Sequence, residues 1–331
     1  MHGRFLQFDL LRFVAALIVF IGHLSLYIPL NFNLEIINIL LLPTTMGALA
    51  VDFFFVLSGY VLFLSLLKYD GRPQVNWIFN RLFRLLPIYW FGLFLGIFVH
   101  VVYVVRGDGI VDILNVLASF LGIQVLWSDY ALSYNSPLWT LSVELIVTPI
   151  IFLSYLYRRW IKVQLLISIS IGMVFLDNPI LSSIPFFILG STLAFEVKSK
   201  VKFHSSSSIW RTWPLQVLIF AALFNFVEKQ KLVLYFSELI VFAMIFILFG
   251  EIRLRKFEIL VASRLGKRSY VIYAVHAPII SFVGSWLKPN SISVNIQFIF
   301  IVVISTIVAT EIAYRAIEVP VLKHLSKKRQ R

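Results

Sequence analysis

Apolar runs of about twenty residues, the length needed to cross a bilayer, recur along this chain from one end to the other. Hydrophobic residues make up 60% of its 331 positions and charged residues only 14%, against about 25% in a typical soluble domain. Because a backbone inside a bilayer has to satisfy its own hydrogen bonds, repeated runs of this length fold as α-helices. We therefore predict an all-α, polytopic membrane protein.

The charge of the loops decides how many of these runs cross the membrane. The candidate segments lie near 5–28, 44–67, 85–105, 111–127, 137–157, 163–177, 180–197, 213–227, 232–250, 269–287 and 294–317. If 111–127 is a re-entrant or interfacial segment, every cluster of Lys and Arg falls on one face of the membrane. The positive-inside rule makes that face cytoplasmic. The prediction is a bundle of about ten transmembrane helices with both termini in the cytoplasm.

The formal net charge of +13 belongs mostly to these loops and to the end of the chain. Topogenic charge of this kind faces anionic lipid headgroups and gives no reason to expect nucleic acid as a partner. We predict one transmembrane domain over residues 1–322 and a basic cytoplasmic tail over 323–331. The chain has no cysteine, which excludes disulfides and thiolate metal sites, and we predict no metal site.

The first span carries two ionisable residues, which are costly at bilayer depth. Arg12 and His23 are eleven positions apart, which is close to three turns at about 100° per residue, so both project from one face. At about 1.5 Å per residue they stand roughly 16 Å apart, with His23 toward the outer half. A simpler alternative pairs Arg12 with Asp9 and gives His23 a structural hydrogen bond. His23 has no partner in its own span, which favours a functional role.

Glu144 is a third ionisable residue inside a predicted span. It lies about seven residues from the outer end of the span 137–157, a depth comparable to that of His23. A carboxylate that orients a histidine is a common arrangement for activating a hydroxyl group. We therefore expect Glu144 to pair with His23, although equal depth does not by itself make two helices neighbours.

Three further motifs contain residues that suit a binding site. FFVLSGY places Ser58 beside Gly59 near the middle of the second span, a pattern that close helix approach explains equally well. RLFR puts Arg81 and Arg84 three positions apart at the cytoplasmic start of the third span. Two guanidinium groups at this spacing can bind phosphate, but ordinary topogenic charges give the same pattern. SYVIYAVH places Tyr270 and His276 in the cytoplasmic half of the ninth span.

Taken in order, these motifs resemble the acyltransferase 3 family of integral membrane acyltransferases. The matching stretches are Arg12 with His23, FFVLSGY (54–60), RLFR (81–84), WTLSVE (139–144), SYVIYAVH (269–276) and, more weakly, IEVP (317–320). The resemblance covers nearly the whole chain and implies the same ten-helix bundle as the charge argument. Tyr60 stands where many members of the family have tryptophan, which keeps an aromatic ring at that position.

The resemblance also implies a reaction. The donor is acyl-CoA, usually acetyl-CoA, bound from the cytoplasm, and the acceptor is a hydroxyl of an extracytoplasmic or lipid-linked glycan. The compact chain resembles bacterial and phage O-antigen O-acetyltransferases of the inner membrane more than the long cell-wall enzymes. The family's first-helix pair falls on Arg12 and His23, and its basic motif makes Arg81 and Arg84 donor-binding residues.

These expectations give a set of site residues and a mechanism. We assign catalytic roles to His23, Glu144 and Arg12, and donor-binding roles to Arg81, Arg84, Arg12, Ser58, Tyr270 and His276. His23 is expected to deprotonate a sugar hydroxyl, which then attacks the thioester directly. An acyl-His or acyl-Ser58 intermediate is a less economical route.

A transporter or flippase is the alternative function. Buried His, Arg and Glu residues would then form a translocation path. Transporters of this kind often contain an inverted repeat, and none is evident in the sequence. The sequence leaves the acceptor sugar, the acyl chain beyond acetyl and homo-oligomer formation open.

Overall fold

The computed structural model describes residues 6–28, 44–68, 75–106, 112–127, 134–200, 231–249, 254–289 and 291–328, and within these ranges every regular element is helical. The α-helices are α1 (Leu6–Ser25), α2 (Thr44–Leu67), α3 (Asn76–Val105), α4 (Ile113–Phe120), α5 (Gln124–Trp127), α6 (Leu138–Leu156), α7 (Ile161–Val174), α8 (Pro179–Lys200), α9 (Lys231–Phe249), α10 (Lys256–Arg264), α11 (Ser269–Leu287), α12 (Ile292–Ala313) and α13 (Val319–Lys328). A π-helical turn, Tyr314–Glu318, joins α12 to α13.

The predicted class, an all-α polytopic membrane protein, is confirmed. Within the described residues, seven helices are long and apolar enough to cross a membrane. α7 has only 14 residues, and the predicted span 213–227 lies outside the described residues. Ten spans and cytoplasmic termini therefore stay predictions.

The charge pattern predicts that the segment 111–127 does not cross the membrane, and its described part does not form one spanning helix. Its described part is divided into α4, of eight residues, and α5, of four. Gly122 lies between them at φ +72°, a left-handed conformation that glycine adopts without steric cost. The Trp90 Nε1–H of α3 donates to the Phe120 carbonyl at 3.0 Å, so polar backbone at the end of α4 is satisfied.

The chain divides into two compact units. The first comprises Met1–Arg12, Val51–Arg72 and Pro149–Gly266. In it, α2 crosses α8 at two glycines: a Cβ atom on Gly59 would collide with the Phe187 carbonyl, and one on Gly190 with the Val56 carbonyl. Small residues at such a crossing let two membrane helices approach closely, which is where their van der Waals attraction is gained.

The second unit comprises Phe13–Ala50, Pro73–Thr148 and Lys267–Arg331. Here α3 packs closely against α11, and a Cβ on Gly92 would lie 2.6 Å from the Ala274 carbonyl oxygen. Pro278, inside α11, has no N–H to donate to that carbonyl, which lies four residues earlier. Asn135 Nδ2 donates to it instead, at 2.8 Å, and to the Gly92 carbonyl at 2.9 Å. One amide therefore joins the two helices.

The α2–α8 crossing predicts a sharp difference between two glycines of α2. Gly59→Ala should lower stability by about 1–3 kcal/mol, because the new methyl group overpacks a backbone contact. Gly47→Ala is the matched control, because a Cβ there meets nothing within 4 Å. Thermal stability of the detergent-solubilised protein, read as monodisperse protein after heating, measures both. Equal melting temperatures for the two variants would contradict the close crossing.

The Asn135 bridge predicts a specific rescue. Asn135→Leu should cost about 1–3 kcal/mol because the Ala274 carbonyl loses its donor in an apolar environment. Adding Pro278→Ala restores an N–H four residues later and should recover part of the lost melting temperature. If the two substitutions are simply additive in the same heating assay, Asn135 does not serve the carbonyl that Pro278 leaves without a helical partner.

Candidate active site

Two histidines from distant parts of the sequence meet in the second unit. His23 Nδ1, near the end of α1, lies 3.3 Å from Nε2 of His276 in α11. His23 Nδ1 is also 2.9 Å from the carbonyl oxygen of Val19, one turn earlier in its helix. His23 is half-buried, whereas His276 is completely buried. The Phe20 ring stands edge-on to His276, with centroids 6.1 Å apart, and limits the space around the pair.

The backbone of α11 and the start of α6 fix the position of His276. Its Nδ1 lies 2.8 Å from the Tyr273 carbonyl oxygen and 3.2 Å from that of Ile272. The Tyr273 hydroxyl is hydrogen-bonded to Thr140 Oγ1 at 2.9 Å. The turn of α11 that carries His276 is therefore anchored to α6, through a residue of the WTLSVE motif.

The predicted contact between Glu144 and His23 is not the one that forms. Glu144 Oε1 of α6 instead accepts a hydrogen bond from Arg81 Nη2 of α3, a direct ion pair. The two side chains are only 10% and 15% exposed, so solvent screens this pair weakly. A guanidinium neutralises a buried carboxylate more effectively than a neutral imidazole does, which explains the partner that Glu144 takes.

The contacts Arg81–Glu144 and His23–His276 show that the depths inferred from the sequence for these side chains are wrong. The sequence predicts Arg81 at the cytoplasmic end of its span and Glu144 toward the outer end, and it predicts a similar separation of His276 and His23. The helix α3 begins at Asn76, before the apolar run, and has 30 residues, or about 45 Å at 1.5 Å per residue. That exceeds the hydrocarbon thickness of about 30 Å. Counting residues from a loop therefore does not give depth in this helix.

Tyr270 marks a charged region of the second unit. Its hydroxyl donates to the Leu85 carbonyl at 2.7 Å, which joins α11 to α3. The charges of four side chains act on it: Glu144, Glu318, Arg81 and Arg84. Three of the predicted donor-binding residues, Arg81, Arg84 and Tyr270, thus lie in one region. Arg84 is exposed, whereas Arg81 is bonded to Glu144.

The remaining predicted site residues, Arg12 and Ser58, belong to the first unit. Arg12 Nη1 is 3.3 Å from Asp9 Oδ1, the local ion pair that the simpler alternative predicts. Ser58 is half-buried in α2, beside the Gly59 crossing. Their roles in donor binding and catalysis stay predictions.

Sequence reasoning missed several polar residues that the structure makes important. Asn135 gave no signal and Thr140 appeared only as part of the WTLSVE motif, because the α11 residues to which they bond lie more than 130 positions away. Asp52 and Glu238 in the first unit did give one, since both are ionisable residues inside apolar runs. Their side chains hydrogen-bond each other.

Similarity to known proteins identifies the family of this chain. Comparisons with curated proteins and with solved structures give no significant match. A family model described as an acyltransferase domain matches residues 5–315, nearly the whole chain. All eight predicted site residues fall within the matched range. The chain belongs to the acyltransferase 3 family and is a membrane acyltransferase.

Proposed function

We propose that this acyltransferase moves an acetyl group from cytoplasmic acetyl-CoA to a hydroxyl of an extracytoplasmic or lipid-linked glycan, with His23 as general base. An O-antigen polysaccharide at the bacterial inner membrane is the acceptor we favour. The observation that carries the proposal is the hydrogen bond between His23 Nδ1 and the Val19 carbonyl. Family membership favours acyl transfer over the alternative of a transporter.

The bond to Val19 determines which nitrogen of His23 is basic. A carbonyl oxygen only accepts hydrogen bonds, so the nitrogen 2.9 Å from it carries the proton. In the neutral ring the lone pair then resides on Nε2. A histidine held in one tautomer, with Nε2 as its basic atom, has the form required of a general base.

The proposed reaction is a direct transfer. His23 Nε2 takes the proton of a sugar hydroxyl as the hydroxyl oxygen attacks the carbonyl carbon of the thioester. The carbon–sulfur bond breaks, and the CoA thiolate leaves with the proton that His23 returns to it. The products are the acetyl ester and free CoA. No acyl-enzyme is needed, which leaves Ser58 and His276 without a nucleophilic role.

The two arginines of the RLFR motif have different roles, Arg81 in helix packing and Arg84 in donor binding. Arg81 pairs with Glu144 and orders the contact between α3 and α6. Arg84 is exposed on the same helix and supplies positive charge for the CoA phosphates. Glu144 thus acts on the site through Arg81, not through the imidazole of His23.

Removal of the His23 imidazole tests the base. His23→Gln should lower transfer about 10²–10⁴-fold, the usual contribution of a general base. The assay follows radiolabel from [acetyl-¹⁴C]acetyl-CoA into the glycan fraction of membranes that contain the protein. His324→Gln, the same substitution at an exposed histidine of α13, is the control. If a correctly folded His23→Gln variant transfers label at the wild-type rate, His23 is not the general base.

The different roles of the two arginines predict different effects: loss of Arg84 should change KM, and loss of Arg81 should change stability. Arg84→Gln should raise the KM for acetyl-CoA about tenfold, the worth of one charged hydrogen bond, and should change stability much less than Arg81→Gln because the Arg84 side chain is exposed. Arg81→Gln should lower stability by about 3–5 kcal/mol, because it leaves Glu144 buried without its cation. The exchange Arg81→Glu with Glu144→Arg should restore part of that stability. If Arg84→Gln lowers stability and leaves KM unchanged, the assignment is wrong.

A further inference from the structure

The two histidines face each other through different nitrogen atoms, and this fixes the direction of the bond between them. His276 Nδ1 lies within hydrogen-bonding distance of two carbonyl oxygens, at 2.8 and 3.2 Å. Carbonyls accept only, so Nδ1 of His276 carries the proton and its lone pair is on Nε2. That Nε2 is the atom 3.3 Å from His23 Nδ1. His23 therefore donates and His276 accepts.

The N–H of His23 thus has two acceptors, the Val19 carbonyl and His276 Nε2. Val19 belongs to the same helix and fixes the tautomer, but it moves with His23 and leaves rotation of the ring less constrained. His276 belongs to another helix, so its lone pair also fixes the direction in which His23 Nε2 points. Orienting a base through its second nitrogen is the role that a carboxylate performs in many hydrolases.

We infer that His276 is the positioning residue of the general base, a neutral imidazole in the place where a carboxylate is more usual. The inference rests on the proposed function of His23. As His23 gains a proton on Nε2 from the sugar hydroxyl, its Nδ1–H becomes a stronger donor and its bond to His276 tightens. His276 neither gains nor loses a proton, and the one that His23 receives leaves with CoA.

The surroundings of His276 suit a positioning role better than contact with the donor. The residue is completely buried, so its ring has no surface to offer to CoA. Two carbonyls hold its Nδ1, and the Asn135 bridge and the hydrogen bond between Thr140 and Tyr273 brace the same stretch of α11. A ring held on all sides can orient its neighbour precisely.

Two substitutions of His276 separate positioning from structural support. Gln places its terminal amide near the former Nε2 and can offer His23 an oxygen as acceptor. Asn places its amide near the former Nδ1, where it can donate to the Tyr273 carbonyl but offers nothing to His23. His276→Gln should keep at least a third of the wild-type kcat for [acetyl-¹⁴C]acetyl-CoA. His276→Asn should lose about 10–100-fold, the range seen when a supporting residue is removed.

The KM for acetyl-CoA should stay within a factor of two in both variants, because the proposed donor-binding arginine, Arg84, is unchanged. His324→Gln is again the control. A His276→Asn variant as active as His276→Gln, or a loss that appears only in KM, would overturn the positioning role. Wild-type membranes that transfer no label would instead overturn the proposed function, and with it the base to be positioned.

A double-variant comparison keeps the inference testable if His276→Asn is poorly folded. In a His23→Gln background there is no base to orient, so adding His276→Asn should reduce the residual transfer by less than twofold per folded molecule. Folded protein is counted as the monodisperse fraction in detergent. Independent, multiplicative losses per folded molecule would show that His276 does not act through His23, and would overturn the positioning role.

Discussion

A polar group buried in a bilayer must find a partner inside the protein, and the second unit is organised by this requirement. Pro278 leaves the Ala274 carbonyl without a helical donor, and Asn135 supplies one while it also bonds to α3. The His276 ring lies between these two positions of α11, and its own Nδ1 is satisfied by carbonyls of the preceding turn. Together these hydrogen bonds of Asn135 and of the α11 carbonyls constrain the position of the His276 ring. His23 takes its orientation from that constraint.

Apolar groups play the complementary part. Gly92 allows α3 to approach the α11 backbone, and Gly59 and Gly190 do the same for α2 and α8 in the first unit. Lipid tails are as apolar as the side chains they would replace, so burial alone gives membrane helices little reason to associate. Close contact and internal hydrogen bonds supply that reason. The polar residues near the candidate site thus stabilise the unit in which they act.

The positions of the helices along the chain could be predicted from the sequence, but which helices contact each other could not. Hydropathy located α1, α2, α6, α11 and α12 to within a few residues, because length and apolarity are local properties. The predicted contact between His23 and Glu144 is wrong because equal depth does not specify which helices contact each other. Glu144 found Arg81 instead, across a distance of 63 positions that no periodicity records. The SYVIYAVH motif predicts His276 at the donor site, but the packing of α11, which the motif does not specify, buries this side chain completely.

The Arg81–Glu144 pair has a consequence for how the protein is built. Each side chain alone opposes transfer of its helix into the bilayer, by about 2.5–3.5 kcal/mol for a charge at the centre of a span. Together they form a neutral pair, and this cost is largely removed. The ribosome delivers α3 before α6, so Arg81 enters the membrane ahead of its counter-charge. The Arg81–Glu144 pair can therefore form only after both helices have been made, which is later than the synthesis of α3 alone.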